Sequence, residues 1–308
     1  KTSLSVPQMW LLNEHTVDNR YTLPGISYIE IAGELARQQF KGQGWIIKDL
    51  MFMQPLVVDQ DTEKEVFTEL QKKESCFEIT VVSRQNGSWI KHAQGRLYPA
   101  DSQRHPKVLN LRELETACSK KETTQFAYVK TGGIQVGPRW NVVESKQYGE
   151  RSVLTHLKLP DRYALDTKEF YLHPALLDCA MNGAIHFIGD GLYLPWRYEE
   201  IAVYDKLPIE CYSYVIRTDK QSAQASAATF DIFVMDKAGN VLIEAKGYTI
   251  KKARGIQAET RADFYQTGWL EKARESVKGQ STPDRQDCVL VLKGADEKSQ
   301  RLTHAIAQ

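Results

Sequence analysis

Residues 173 to 189, HPALLDCAMNGAIHFIG, place Leu177, Ala180, Met181, Ala184, Ile185 and Ile188 on one broad apolar stripe at helical spacing. A helix this apolar has to be enclosed, and a curved sheet wrapped around it does so most simply. Residues 24 to 40, PGISYIEIAGELARQQF, repeat the pattern with Ile26, Ile29, Ala32, Gly33, Ala36 and Phe40. Pro24 suits the first turn of that helix, where a missing N–H costs nothing. The rest of the chain supplies the sheets. Strand-like runs fall at 45–50, 56–58, 65–70, 76–84 and 89–98, with Asn86-Gly87 as a hairpin turn between the last two. In the second half they fall at 140–147, 152–159, 200–204, 212–218, 229–235 and 241–251. Each half therefore reads as α+β: a curved antiparallel sheet around one long apolar helix.

The expected organisation is a first unit at 1–98, a polar linker at 99–124 with one helical turn around 111–117, and a second unit at 125–254. The tail at 255–308 is polar apart from FYQTGW and CVLVL. A lone strand cannot build its own core, so the tail reads as the beginning of something further.

Composition removes several function classes. Lys and Arg total 40 against 39 Asp and Glu, so a bulk electrostatic grip on nucleic acid is not the main function. No apolar run approaches the roughly 20 residues that cross a bilayer, and residues 1–7 lack a signal-peptide pattern. The 42% apolar content supports a packed core rather than disorder. Five scattered cysteines without a Cys-x-x-Cys pair argue against a disulfide framework or a zinc site and for a reducing, cytoplasmic setting.

Three stretches carry the candidate chemistry: Glu14 to Gly25, Gly132 to Trp140, and His173 to Asn182. His15 lies in a loop ahead of the first helix, where an imidazole titrating near neutrality would meet a substrate; the alternative is a structural histidine. Asp178 sits early in the second helix between Leu177 and Cys179, with Asn182 one turn on. An apolar setting raises a carboxyl pKa and keeps a proton available, with Asn182 orienting the group; the alternative is a cap or dipole partner.

Taken together, the stretches resemble the dehydratase domains of modular polyketide synthases. The first motif of that family, His-x-x-x-Gly-x-x-x-x-Pro, is matched by His15 and Pro24; the second, Tyr-Gly-Pro-x-Phe, by Gly137, Pro138 and the aromatic Trp140. The third, His-Pro-x-Leu-x-Asp-x-x-x-Gln/His, is matched by His173, Pro174, Leu176 and Asp178. Residues 192–196 (LYLPW) and 236–241 (DKAGNV) are similar too, and 265–269 resembles the lead-in to a ketoreductase domain. The resemblance covers roughly 1–254 and implies a double hotdog fold. It implies a β-hydroxyacyl thioester on the phosphopantetheine arm of an acyl carrier protein, with no cofactor, metal or nucleotide of the domain's own. Implied partners are that carrier protein, neighbouring ketosynthase and ketoreductase domains, and a second copy in a homodimer. His15 would take the α proton and Asp178 would protonate the departing hydroxyl. The thioester oxygen needs N–H donors, for which Gly25 and Gly133 are the candidates.

Three positions depart from the motifs. Asn19 stands for glycine, Val136 for tyrosine, and Asn182 for glutamine or histidine. The first change could re-aim His15, the second removes a hydroxyl, and the third shortens the group beside Asp178. The departures open a second reading, since enoyl isomerases of synthases with separate acyltransferases look like dehydratases with an altered pair. They move a double bond between α,β and β,γ positions with one base. A third reading is a silent docking or dimerisation module. The retained Asp178 favours dehydration.

Overall fold

The computed structural model describes residues 1–41, 44–85, 87–100, 106–122, 133–183, 187–188, 191–219 and 226–253. The first half contains β1 (Thr2–Ser5), α1 (Trp10–Asn13), β2 (His15–Val17), β3 (Arg20–Tyr21), α2 (Ser27–Phe40), β4 (Trp45–Phe52), β5 (Glu63–Lys72), β6 (Phe77–Gln85) and β7 (Ser88–Pro99). Next come α3 (Leu111–Ala117), β8 (Lys120–Glu122) and β9 (Ile134–Val136). The second half continues with a 3-10 turn (Pro138–Trp140), β10 (Val143–Tyr148), β11 (Ser152–Lys158), a second 3-10 segment (Asp161–Lys168), α4 (Pro174–Met181), β12 (Tyr193–Val203), β13 (Glu210–Arg217), β14 (Ala227–Met235) and β15 (Val241–Lys252).

The two expected sheets join edge to edge. One sheet runs β1-β5-β6-β7-β4-β12-β15-β14-β13-β11-β10-β8. The joint is the antiparallel pair of β4 with β12, in register at Ile47↔Ile201 and Ile46↔Ala202. Ile47 and Ile201 are both fully buried, so the joint lies inside the core and gives each half-sheet an inner neighbour in place of an open edge.

The two expected apolar helices are α2 and α4. Along α2, Ile29, Ala32 and Ala36 face the core, and Gly33 makes room for Trp45: a Cβ there would stand 2.7 Å from the indole ring. The helix starts at Ser27 rather than Pro24, because Pro24 and Gly25 form a preceding turn in which Ser27 N–H donates to the Pro24 carbonyl. All eight residues of α4 are buried, Asp178 included. This helix is shorter than the 173–189 stripe predicts. It stops at Met181, where Asn182 and Gly183, both poor helix formers, follow. Residues 184–186 lie outside the described set; Ile188 is half-buried against the core.

Residues 106–122, inside the span read as a linker, dock on the second half. Leu109 and Val241 exchange backbone bonds with Gly239 and Lys107, and β8 pairs with β10. The tail read at 255–308 lies outside the described residues. Among the described residues no helix is long and apolar enough to cross a membrane, and Cys76, Cys118, Cys179 and Cys211 are free thiols.

Candidate active site

A small second sheet, β3-β2-β9, crosses between the halves. Its register sets His15 opposite Val136 and Thr16 opposite Gln135. The stretch around His15 is thereby fixed against the stretch around Gly137. The backbone N–H of Gly137 donates to the Glu14 carbonyl at 2.8 Å, and a Cβ on Gly137 would strike the Glu14 side chain at 2.4 Å. Pro138 then opens the 3-10 turn that carries Trp140 inward.

His15 is 7% exposed. Its Nδ1 lies 2.7 Å from the Thr22 carbonyl oxygen, an acceptor, so Nδ1 carries the proton and Nε2 keeps its lone pair. Burial pushes the imidazole below its ordinary value, against the opposing pull of Asp178. Asp178 is 8% exposed, and both its oxygens are held: Trp140 Nε1–H donates to Oδ2 at 2.9 Å and Asn182 Nδ2 to Oδ1 at 2.9 Å. Burial raises this carboxyl, while His15, Trp140 and Asn182 pull it down. Burial is the largest cause for both groups, and it favours the uncharged form of each. Trp140 touches both, with its ring 5.8 Å from that of His15.

The two groups line one cavity of about 270 Å³. Its wall is mostly apolar or aromatic, with Val17, Leu23, Tyr28, Phe52, Ile134 and Pro195. An apolar wall of this kind favours the uncharged forms of His15 and Asp178.

The departures from the motifs have local explanations. Asp18 and Asn19 hold φ of 48° and 61° in the two-residue turn between Val17 and Arg20. That turn needs positive φ at both central positions, and asparagine is the side chain that best replaces glycine there. Asn19 is exposed and its Oδ1 accepts from Gln135 Nε2 at 2.8 Å. Val136 packs on the core beside β2 and is not part of the cavity wall, so its missing hydroxyl leaves no gap there. Trp140 meanwhile brings an indole N–H that a phenylalanine lacks. Asn182 reaches Asp178 despite its shorter side chain, and the Tyr248 hydroxyl donates to its Oδ1 at 3.0 Å.

Of the two glycines proposed as donors, Gly25 lines the cavity. Gly133 does not: at φ 89° it packs against Asp18, whose N–H it accepts at 2.8 Å. A paired glycine turn reads the same in sequence whether it faces a ligand or a neighbouring loop. Sequence reasoning missed the Trp140 and Tyr248 bonds and the Thr22 carbonyl. An indole N–H at the motif's phenylalanine position was the one signal available.

Comparison with known proteins bears on this arrangement. The family profile described as polyketide synthase dehydratase N-terminal domain matches residues 106–259, and the profile described as polyketide synthase dehydratase domain matches residues 1–84. The chain belongs to the polyketide synthase dehydratase family. Polyketide synthase PksM of Bacillus subtilis is 25% identical over 269 residues, which is 80% of this chain but only 6% of that protein. This dehydratase-type domain thus corresponds to a small part of the relatives it matches. Among solved structures, the dehydratase domain of the CurF module of curacin polyketide synthase superposes with a TM-score of 0.74 at 22% identity, covering 82% of this chain and 92% of that one. A trans-AT polyketide synthase dehydratase domain from Brevibacillus brevis gives 0.73 at 22%, covering 82% and 92%. The likeness bears out the double hotdog fold.

Proposed function

We propose that this dehydratase-type domain removes water from a β-hydroxyacyl thioester carried on the phosphopantetheine of an acyl carrier protein. His15 Nε2 takes the α proton, which the thioester carbonyl acidifies. Asp178 gives its proton to the β-hydroxyl as the C–O bond breaks. The electron pair of the broken C–H bond becomes the α,β double bond, and water leaves. His15 ends protonated and Asp178 ionised, and exchange with solvent restores both. Gly25 is the candidate donor to the thioester oxygen. The carrier protein and flanking ketosynthase and ketoreductase domains are the proposed partners.

The observation that carries this reading is the state of Asp178. It is buried in the cavity wall, burial pushes its pKa up, and Trp140 and Asn182 each donate to one of its oxygens and so fix its orientation. Double-bond isomerisation needs one base and gives such an acid no task. The experiment offers the purified chain a β-hydroxyacyl and, separately, an α,β-enoyl thioester on a carrier protein in deuterated water. Alkene formation from the first supports dehydration. Deuterium entering only the α and γ positions of the second, with no water lost from the first, would replace it with isomerisation. No reaction of either would favour a docking module.

A further inference from the structure

Two charged residues stand directly before His15 and before the indole that donates to Asp178: Glu14 before His15, and Arg139 before Trp140. In the fold they meet. The backbone N–H of Arg139 donates to Glu14 Oε2 at 2.9 Å, and its guanidinium donates to Glu14 Oε1. Arg139 Nε donates to Asp166 Oδ2 at 2.7 Å. The guanidinium lies 4.6 Å from the Trp10 ring and 4.4 Å from the Tyr163 ring. The planar fork thus uses both its edges and its faces, a set of contacts that lysine cannot reproduce.

What this clamp joins is specific. Glu14 belongs to the chain entering β2, which presents His15. Arg139 belongs to the 3-10 turn, which presents the Trp140 indole to Asp178. The two stretches are also joined by backbone pairing, of β2 with β9 and of Gly137 with Glu14, by the Gln135–Asn19 hydrogen bond, and by packing of the Trp140 ring on Trp10 and His15. Backbone pairing fixes register but does not fix the rotation of the turn that follows.

We propose that Arg139, held by Glu14 and Asp166, is a positioning residue for the cavity pair. It locks the Trp140 turn against the His15 strand and so sets the indole N–H on Asp178. The activity arm of its test rests on the dehydration reading; the spectroscopic arm does not.

The test uses the full chain with Arg139→Lys, and Glu14→Gln as a milder variant that keeps its shape and an acceptor. Hydrogen exchange of the indole N–H groups is followed by NMR. Trp140 is expected to lose about tenfold or more of its protection, a purely local opening, while Trp45, buried elsewhere in the core, keeps its own. With a β-hydroxyacyl pantetheine thioester, kcat falls roughly 10- to 100-fold with KM within about twofold, as for a misplaced reacting group. The alkaline limb of kcat moves to higher pH, since a carboxylate that loses a donor binds its proton more tightly. Unchanged Trp140 protection in both variants overturns the proposal, as does equal loss at Trp140 and Trp45, which marks general loosening. If the parent protein forms no alkene, the dehydration reading falls and the indole measurement alone judges the clamp.

Discussion

Tyr248 and Asn182 are 66 positions apart in the chain, and the Tyr248 hydroxyl donates to Asn182 Oδ1 at 3.0 Å. Because that oxygen is taken, the amide nitrogen is turned toward Asp178, which it reaches at 2.9 Å. Asn182→Ala removes this donor and takes one acceptor away from the Tyr248 hydroxyl. We expect alkene formation to fall about tenfold, the order of one lost buried hydrogen bond to an ionisable group. The alkaline limb of the pH profile should move upward. Steady-state kinetics from pH 5 to 9 check this, and an unchanged limb would separate Asn182 from the acid.

Asn19 tests the explanation given for the first departure. At φ 61° the residue is held in the left-handed region. Asn19→Gly should leave unfolding free energy within about 0.5 kcal/mol of the parent, as glycine adopts that region freely. Asn19→Val should cost about 1–2 kcal/mol, because a β-branched side chain does not. Urea unfolding midpoints measure both. Activity per folded molecule should stay the same in each, and a large loss in Asn19→Gly would show that the turn does steer His15.

His173 predicts a pH dependence of stability. It is fully buried, stacked on Trp10 at 5.6 Å, and 3.7 Å from Asp166, too far for a hydrogen bond. Burial pushes its pKa down to about 4. The unfolded chain therefore takes up this proton first as pH falls. The contribution is complete above the ordinary histidine value of about 6.5 and drains away between there and 4. The loss amounts to about 3 kcal/mol at the acid end. His173→Phe keeps a ring on Trp10 and removes the titration, so its stability should fall less steeply over that window. Parallel curves from chemical denaturation would contradict the assignment.

The motif residues were legible because each advertises itself locally: a histidine before a proline-led helix, and an acid inside an apolar one. What was not legible depends on distant chain. The β4–β12 joint pairs residues such as Ile47 and Ile201, and nothing in either run names its partner. The end of α4 at Met181 was readable in principle from Asn182-Gly183, but the apolar stripe continuing to Ile188 outweighed it. Asn19 looked like a disturbance because the sequence does not show φ; in the fold it is the residue nearest to glycine in conformational tolerance. Val136 looked like a lost hydroxyl because strand register alone decides that it faces the core.

The central claim is that His15 and Asp178 act on one substrate from two sides of a shared dry cavity. The most direct measurement is alkene formation from a β-hydroxybutyryl pantetheine thioester by the parent chain, His15→Ala and Asp178→Asn, each confirmed folded. The account predicts alkene from the parent and none above background from either variant. Asp178→Asn would fail because its amide has no acidic proton to give to the departing hydroxyl. Turnover by His15→Ala at the parent rate would contradict the account outright.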